Sequence, residues 1–183
     1  GVASLYVSLV TQDPTGIYVF AIAALTEISN GAVFKPLAKT FFGEAMTRRP
    51  NPASNIRFGN HPKGCGIYFE GKASRSSGMP SGHAQGMGTF STFFTLYMVG
   101  KMKRGRAKGS KVGIASYAIS LLGLWTIATV VVLHRSPLWS GCHSPAQLTV
   151  GALLGAGLGV GFYAACNALD PARFPSAVRI VES

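Results

Sequence analysis

Residues 112–133 read VGIASYAISLLGLWTIATVVVL, 22 consecutive positions without an Asp, Glu, Lys, Arg or Pro. A helix needs roughly 20 apolar residues to cross the hydrocarbon core of a bilayer, within about 17–25. In lipid every backbone N–H and C=O must be satisfied internally, so an isolated run of this length specifies a helix. Three further stretches extend the pattern. Pro145 to Leu169 is long, apolar and rich in Gly and Ala. Ile17 to Phe42 is apolar but interrupted by Glu27, Asn30, Lys35 and Lys39. Ala84 to Met102 is shorter and rich in Phe, Thr and Met. The expectation is an all-α, multi-span transmembrane helix bundle of at least four spans. It forms one domain over residues 1–183, with a long extramembrane loop at 43–80. Val2 to Val10 is apolar but short, the end of an earlier helix or an interfacial segment. No cleavable signal peptide is expected, because Gly1 opens the chain without Met or a basic leader.

The composition agrees. Apolar residues make up 48% and charged residues 13%, against about 25% charged in an ordinary soluble domain. The net charge of +11 points to an anionic partner: nucleic acid, a membrane surface or a phosphate. Its distribution decides between them. Lys101, Lys103, Arg104, Arg106, Lys108 and Lys111 crowd the short connection between two spans, with no acid among them. A basic loop so placed obeys the positive-inside rule, which makes it cytoplasmic and disfavours a nucleic-acid role. Loops 43–80 and 134–144 then lie on the opposite, non-cytoplasmic face.

Small residues recur every four positions in the last stretch, at Gly151, Gly155 and Gly159, which lets helix backbones approach closely. The three cysteines, Cys65, Cys142 and Cys166, contain no CxxC pair, so no structural zinc site is expected. Cys65 and Cys142 share one face and are candidates for a disulfide if that face is oxidising. Glu27 is costly within a span unless paired.

Three polar clusters stand at span ends on the non-cytoplasmic face. Lys39 is followed by Arg48-Arg49-Pro50. Pro80-Ser81-Gly82-His83 opens the second span. Arg135, His143 and Gln147 lead into the fourth. Chemistry on a phosphate ester needs these types: cations to neutralise the phosphoryl oxygens, a nucleophile in line, and an acid for the leaving oxygen. Backbone N–H groups of Ser81 and Gly82, at a helix start, would suit an anion. His143 and Gln147, four apart, share one helical face.

Together these clusters resemble the type 2 phosphatidic acid phosphatase superfamily, which also contains the vanadium haloperoxidases. That family's pattern is Lys-x6-Arg-Pro, then Pro-Ser-Gly-His, then Ser-Arg-x5-His-x3-Asp, and the resemblance covers residues 30 to 160. It implies that Lys39, Arg49 and Arg135 bind phosphate, with hydrogen bonds from Ser81 and Gly82. It implies that His143 forms a phosphohistidine and that His83 protonates the leaving group. No metal or other cofactor is implied. The implied activity is that of an integral membrane phosphatase acting on a phosphatidic acid, a polyprenyl pyrophosphate or a related lipid phosphate. A soluble sugar phosphate ranks lower.

Several positions depart from the pattern. Nine residues, not six, separate Lys39 from Arg49; Lys35 lies further still and is the weaker candidate. His134 stands in place of Ser, and seven residues separate Arg135 from His143. Gln147 occupies the place of the Asp that would orient His143. Gln accepts the same hydrogen bond but supplies no charge. That substitution supports an alternative: a weak or inactive relative serving as a structural component, or oligomer, in a larger membrane assembly or viral particle. Arg48 stands as an alternative ligand to Arg49. His61, His134 and the run Lys72 to Ser77 read as loop or surface residues.

Overall fold

The computed structural model describes residues 14–50, 77–107, 114–138 and 141–177. All regular structure among them is helical. Helix α1, Thr15–Ser29, runs through a π-helical turn at Asn30–Phe34 into α2, Lys35–Thr47. Three more rods follow: α3, Gly82–Ala107; α4, Ile114–His134; and α5, Pro145–Leu169. Thr15–Thr47, Ala115–His134 and Pro145–Leu169 are each long and apolar enough to cross a membrane. The all-α, multi-span architecture expected from the sequence is thus present. Val2 to Val10, residues 51–76 with His61, Cys65, Glu70 and Lys72, and Lys108 and Lys111 lie outside the described residues.

Helix α3 is the fourth rod. Its 26 residues extend about 39 Å at 1.5 Å per residue. It is more polar than the others and lies at the centre, packed on α5 most extensively and also on α4 and α1. Its buried Gln85, Thr89 and Ser91 are tolerable because neighbouring helices, not lipid, surround them. Thr89 returns its hydroxyl to the Gln85 carbonyl at 2.9 Å. Contact with α5 is backbone-close. A Cβ at Gly151 would sit 2.6 Å from the Ser81 carbonyl, and one at Gly159 2.6 Å from the Thr89 carbonyl. Helix association in lipid has no hydrophobic drive, so close packing of this kind holds the pair together.

The α1–α2 rod has two irregularities with identifiable causes. At the π turn, Asn30 is buried and donates to Gln85 Oε1 at 2.7 Å, while Gln85 Nε2 donates to the Thr26 carbonyl at 3.2 Å. This network ties α1 to the first turn of α3. Gly82 is open enough for Asn30 to approach, since a Cβ there would meet Asn30 Oδ1 at 3.3 Å. The second irregularity is Gly43, at φ 73°, a left-handed conformation that glycine adopts without penalty. The helical path breaks at Gly43, close to where the sequence ends the first apolar stretch, and one further turn, to Thr47, follows before Arg48.

At the opposite end of α3 an aromatic cluster closes the bundle. Phe174, on the segment after α5, is fully buried with ring contacts to Tyr18 at 4.9 Å, Tyr97 at 5.7 Å and Phe93 at 5.9 Å. Lys103 and Arg104 donate to the carbonyls of Ala177 and Ala172. Outward positions such as Ile119, Leu122, Ile127 and Leu153 are exposed, as lipid-facing side chains should be. Glu27 also lies on an exposed face of α1.

Candidate active site

The end of α2, the segment entering α3 and the α4–α5 connection meet at one end of the bundle. Gly78 N–H donates to the Thr47 carbonyl at 2.7 Å, Ser81 N–H to the Gln147 carbonyl at 3.1 Å, and His143 N–H to the Arg135 carbonyl at 3.1 Å. The first two bonds tie together segments distant in the chain, and the third folds the α4–α5 connection on itself. Two helix N-termini, those of α3 and α5, open at this end. Their dipoles favour an anion there.

His143 is buried at 2% exposure, and its two ring nitrogens face opposite chemistry. Nδ1 lies 3.0 Å from the Gly78 carbonyl and 3.3 Å from Gln147 Oε1. Both are acceptors, so Nδ1 carries the proton and donates. Nε2 lies 3.3 Å from Arg49 Nη1, and a guanidinium can only donate. Nε2 therefore presents its lone pair toward Arg49. Burial first, then the Arg49 charge, lowers the imidazole pKa to about 4, against the opposing bonds from Gln147 and Gly78. At neutral pH the ring is uncharged and nucleophilic at Nε2.

Gln147 makes four hydrogen bonds at 1% exposure. Its Oε1 accepts from Ser144 N–H at 3.2 Å as well as from His143, and its Nε2 donates to the carbonyls of Arg48 at 2.8 Å and Met46 at 3.3 Å. The two donors and two acceptors around it fix which way the amide points. Ser144 Oγ accepts from Gln147 N–H at 3.3 Å, completing a capping box with Pro145 in the first turn of α5.

His83 stands at the first turn of α3. Its Nε2 is buried and has no hydrogen-bond partner among the described residues. Burial, then the charges of Arg135, Arg49 and Lys35 in that order, lower its pKa to about 4. Arg49 is itself pushed below its ordinary value by burial and then by Arg135, and Arg135 by burial. No carboxylate among the described residues contacts either histidine. No group of three or more His, Cys, Asp or Glu suited to a metal occurs among those residues.

Of the residues singled out in the sequence, the fold brings Arg49, His83, Arg135, His143 and Gln147 to one place. Lys39 is not with them. Its side chain is 60% exposed and lies 3.9 Å from Glu44. Lys35 is the lysine whose charge reaches Arg49 and His83. The two lysines are four apart and share a side of α2; what separates them is depth, Lys35 being half-buried at the start of the helix and Lys39 exposed one turn further on, beside Glu44. Ser81 also differs from expectation. Its N–H is taken by the Gln147 carbonyl, and its buried Oγ accepts from Ala84 N–H at 3.4 Å, so it caps α3. Arg48 is exposed and contributes its carbonyl. Cys142 is disulfide-bonded and Cys166 is free; the remaining cysteine, Cys65, is outside the described residues. The Gly78 carbonyl is a functional group that the reading of side-chain motifs passed over. Its one signal was a glycine just ahead of the Pro-Ser-Gly-His run.

A sequence model of the family described as the PAP2 superfamily matches residues 15–170. No curated protein and no solved structure matches the chain.

Proposed function

The chain belongs to the PAP2 superfamily, and we propose that this member is an integral membrane phosphatase acting on a lipid phosphate or polyprenyl pyrophosphate. The observation that carries the reading is the His143–Arg49 pair: a neutral, buried imidazole whose Nε2 lone pair points at a guanidinium, 3.3 Å away. A phosphoryl group bound by Arg49, Arg135 and Lys35 would enter between them, with phosphorus in line with Nε2.

In the proposed reaction Nε2 attacks phosphorus and the bond to the leaving oxygen breaks. His83 gives that oxygen its proton, and the phosphoryl group stays on His143. Water then attacks phosphorus with His83 as base, the P–N bond breaks, and inorganic phosphate leaves. As Nε2 becomes bonded, the imidazole gains positive charge. The Nδ1–H bonds to the Gly78 carbonyl and Gln147 Oε1 stabilise it through dipoles. His83 needs a proton at the start of this cycle, yet burial and three cations depress its basicity. An arriving phosphate dianion offsets those charges, so substrate binding itself raises the affinity of His83 for the proton.

The basic end of α3, with Lys101, Lys103 and Arg104, lies opposite the site. Under the positive-inside rule the proposal places it in the cytoplasm and the site at the non-cytoplasmic surface. A lipid headgroup reaches the histidines there while its tail stays in the bilayer. The test is phosphate release by purified protein in phospholipid vesicles from phosphatidic acid and from a polyprenyl pyrophosphate. The expected result is turnover of at least one, abolished in His143→Ala. No release from either substrate, together with no binding of vanadate, would leave the structural-component reading in its place.

A further inference from the structure

We propose that Gln147 is a positioning residue that clamps Arg49 against His143, while the Gly78 carbonyl fixes the imidazole tautomer. The role expected of a single carboxylate is thereby divided between two neutral groups. The proposal deepens the phosphatase reading and takes the Arg49–His143 pair as its phosphate site.

Three geometric observations support the division. First, the Gly78 carbonyl is the nearer acceptor to Nδ1, at 3.0 Å against 3.3 Å for Gln147 Oε1. The peptide that carries it is held by Met79 N–H donating to Ser77 Oγ at 3.4 Å, so the tautomer is fixed without residue 147. Second, the Gln147 amide nitrogen faces away from His143, toward the Arg48 and Met46 carbonyls. Arg48 immediately precedes Arg49, so these two bonds hold the backbone from which the guanidinium extends. Third, all four sites on the Gln147 amide are satisfied by fixed partners, with Ser144 N–H completing the set. A carboxylate has no N–H to give the two carbonyls and would meet them as oxygen against oxygen.

The reading assigns one consequence to every substitution that removes the amide NH2. Loss of the amide NH2 should loosen Arg49 and weaken anion binding without changing which nitrogen of His143 carries the proton. Gln147→Glu retains the shape and Oε1 but removes the donor, so it should behave like Gln147→Leu, not like wild type.

The experiment is a double-mutant cycle on Gln147 and Arg49 with vanadate affinity as the readout, combined with 15N NMR of the His143 ring. Gln147→Leu and Gln147→Glu should each lose about tenfold in vanadate affinity, the scale of two hydrogen bonds. In an Arg49→Ala background the same substitutions should cost less than about twofold, because the residue they act through is gone. The NMR spectrum should show the Nδ1–H tautomer in wild type and in Gln147→Leu alike. Additive losses in the cycle would overturn the clamp, and so would Gln147→Glu binding vanadate as wild type does. A switch to the Nε2–H tautomer in Gln147→Leu would overturn the assignment to Gly78. The tautomer readout needs neither substrate nor turnover. A protein that hydrolyses no lipid phosphate therefore fails the phosphatase reading and still decides this one.

Discussion

Gly78→Ala adds one methyl group and tests the arrangement at its tightest point. The glycine is not there for backbone freedom, since the positive-φ glycines among the described residues are Gly43 and Gly141. It is there for space. A Cβ at position 78 would lie 2.7 Å from Gln147 Oε1, 3.0 Å from Arg49 Cγ and 3.1 Å from Gln147 Cδ. The amide cannot swing aside, because Ser144, His143, Arg48 and Met46 hold both of its ends. Either Gln147 and Arg49 move together, or the 78 backbone retreats and takes its carbonyl off His143 Nδ1. Both responses loosen the 3.3 Å His143–Arg49 pair. Overpacking of this kind costs about 1–3 kcal/mol. If it falls on the reactive geometry, kcat/KM drops about five- to hundredfold. The assay is steady-state phosphate release from the lipid phosphate that wild type turns over, beside thermal unfolding in the same detergent. Gly86→Ala is the control. Its Cβ meets nothing within 4 Å, and alanine is the better helix former, so activity and Tm should hold. A Gly78→Ala protein with wild-type kcat/KM would refute the reasoning, because the three close contacts at residue 78 would then have no bearing on the site.

Three other outcomes are expected. Lys35→Ala should raise KM on the order of tenfold, the scale of one charge-assisted phosphate contact, while Lys39→Ala should change neither kcat nor KM beyond about twofold; parallel kinetics on the two variants check this. His83→Ala should lose turnover of an alkyl phosphate far more than of 4-nitrophenyl phosphate, whose leaving group departs without a proton, and the ratio of the two rates is the measurement. Stability should fall with acid. Both histidines are held neutral in the fold, with pKa values of about 4 against about 6.5 for a free imidazole, so the unfolded chain takes up protons first. Tm should be level above about pH 6.5 and decline from there through pH 4, and the decline should be shallower in His143→Gln; unfolding scans across that range supply the test.

The spans were legible because lipid imposes one rule on the backbone. Residues 112–133 and 145–169 could be read as helices from apolar length alone. The ends of α1–α2 were less so. Gly43 reads as the end of the first stretch and is where the helical path breaks, but the extra turn that follows it, to Thr47, has no signal in the apolar pattern. Side chains within motifs were also legible: Arg49, His83, Arg135 and His143 converge from segments that the sequence separates by dozens of residues. Two kinds of information were hidden. One was burial along α2, where choosing a lysine by its distance from Arg49 pointed to Lys39 and the half-buried lysine is Lys35. The other was the backbone. The carbonyls of Met46, Arg48 and Gly78 and the N–H of Ser81 carry much of the site's bonding, and no residue type announces a backbone carbonyl.

Two departures from the family pattern, read separately in the sequence, are physically one feature. The segment before Arg49 is longer than the pattern has it, and residue 147 is Gln where the pattern has Asp. In the fold a separate helical turn after Gly43, ending at Thr47, takes up the extra length. The last carbonyls of a helix have no partner within it, and Met46 is in that last turn, with Arg48 directly after. Their oxygens fall on residue 147. An Asp at that position is one methylene shorter and has no N–H, so both carbonyls would be left without this donor. An amide supplies the donor through Nε2 and still offers Oε1 to His143. The longer helix end thus calls for the Gln. What His143 loses is charge compensation for its imidazolium. What it keeps, through the Gly78 carbonyl, is the tautomer that leaves Nε2 free to attack.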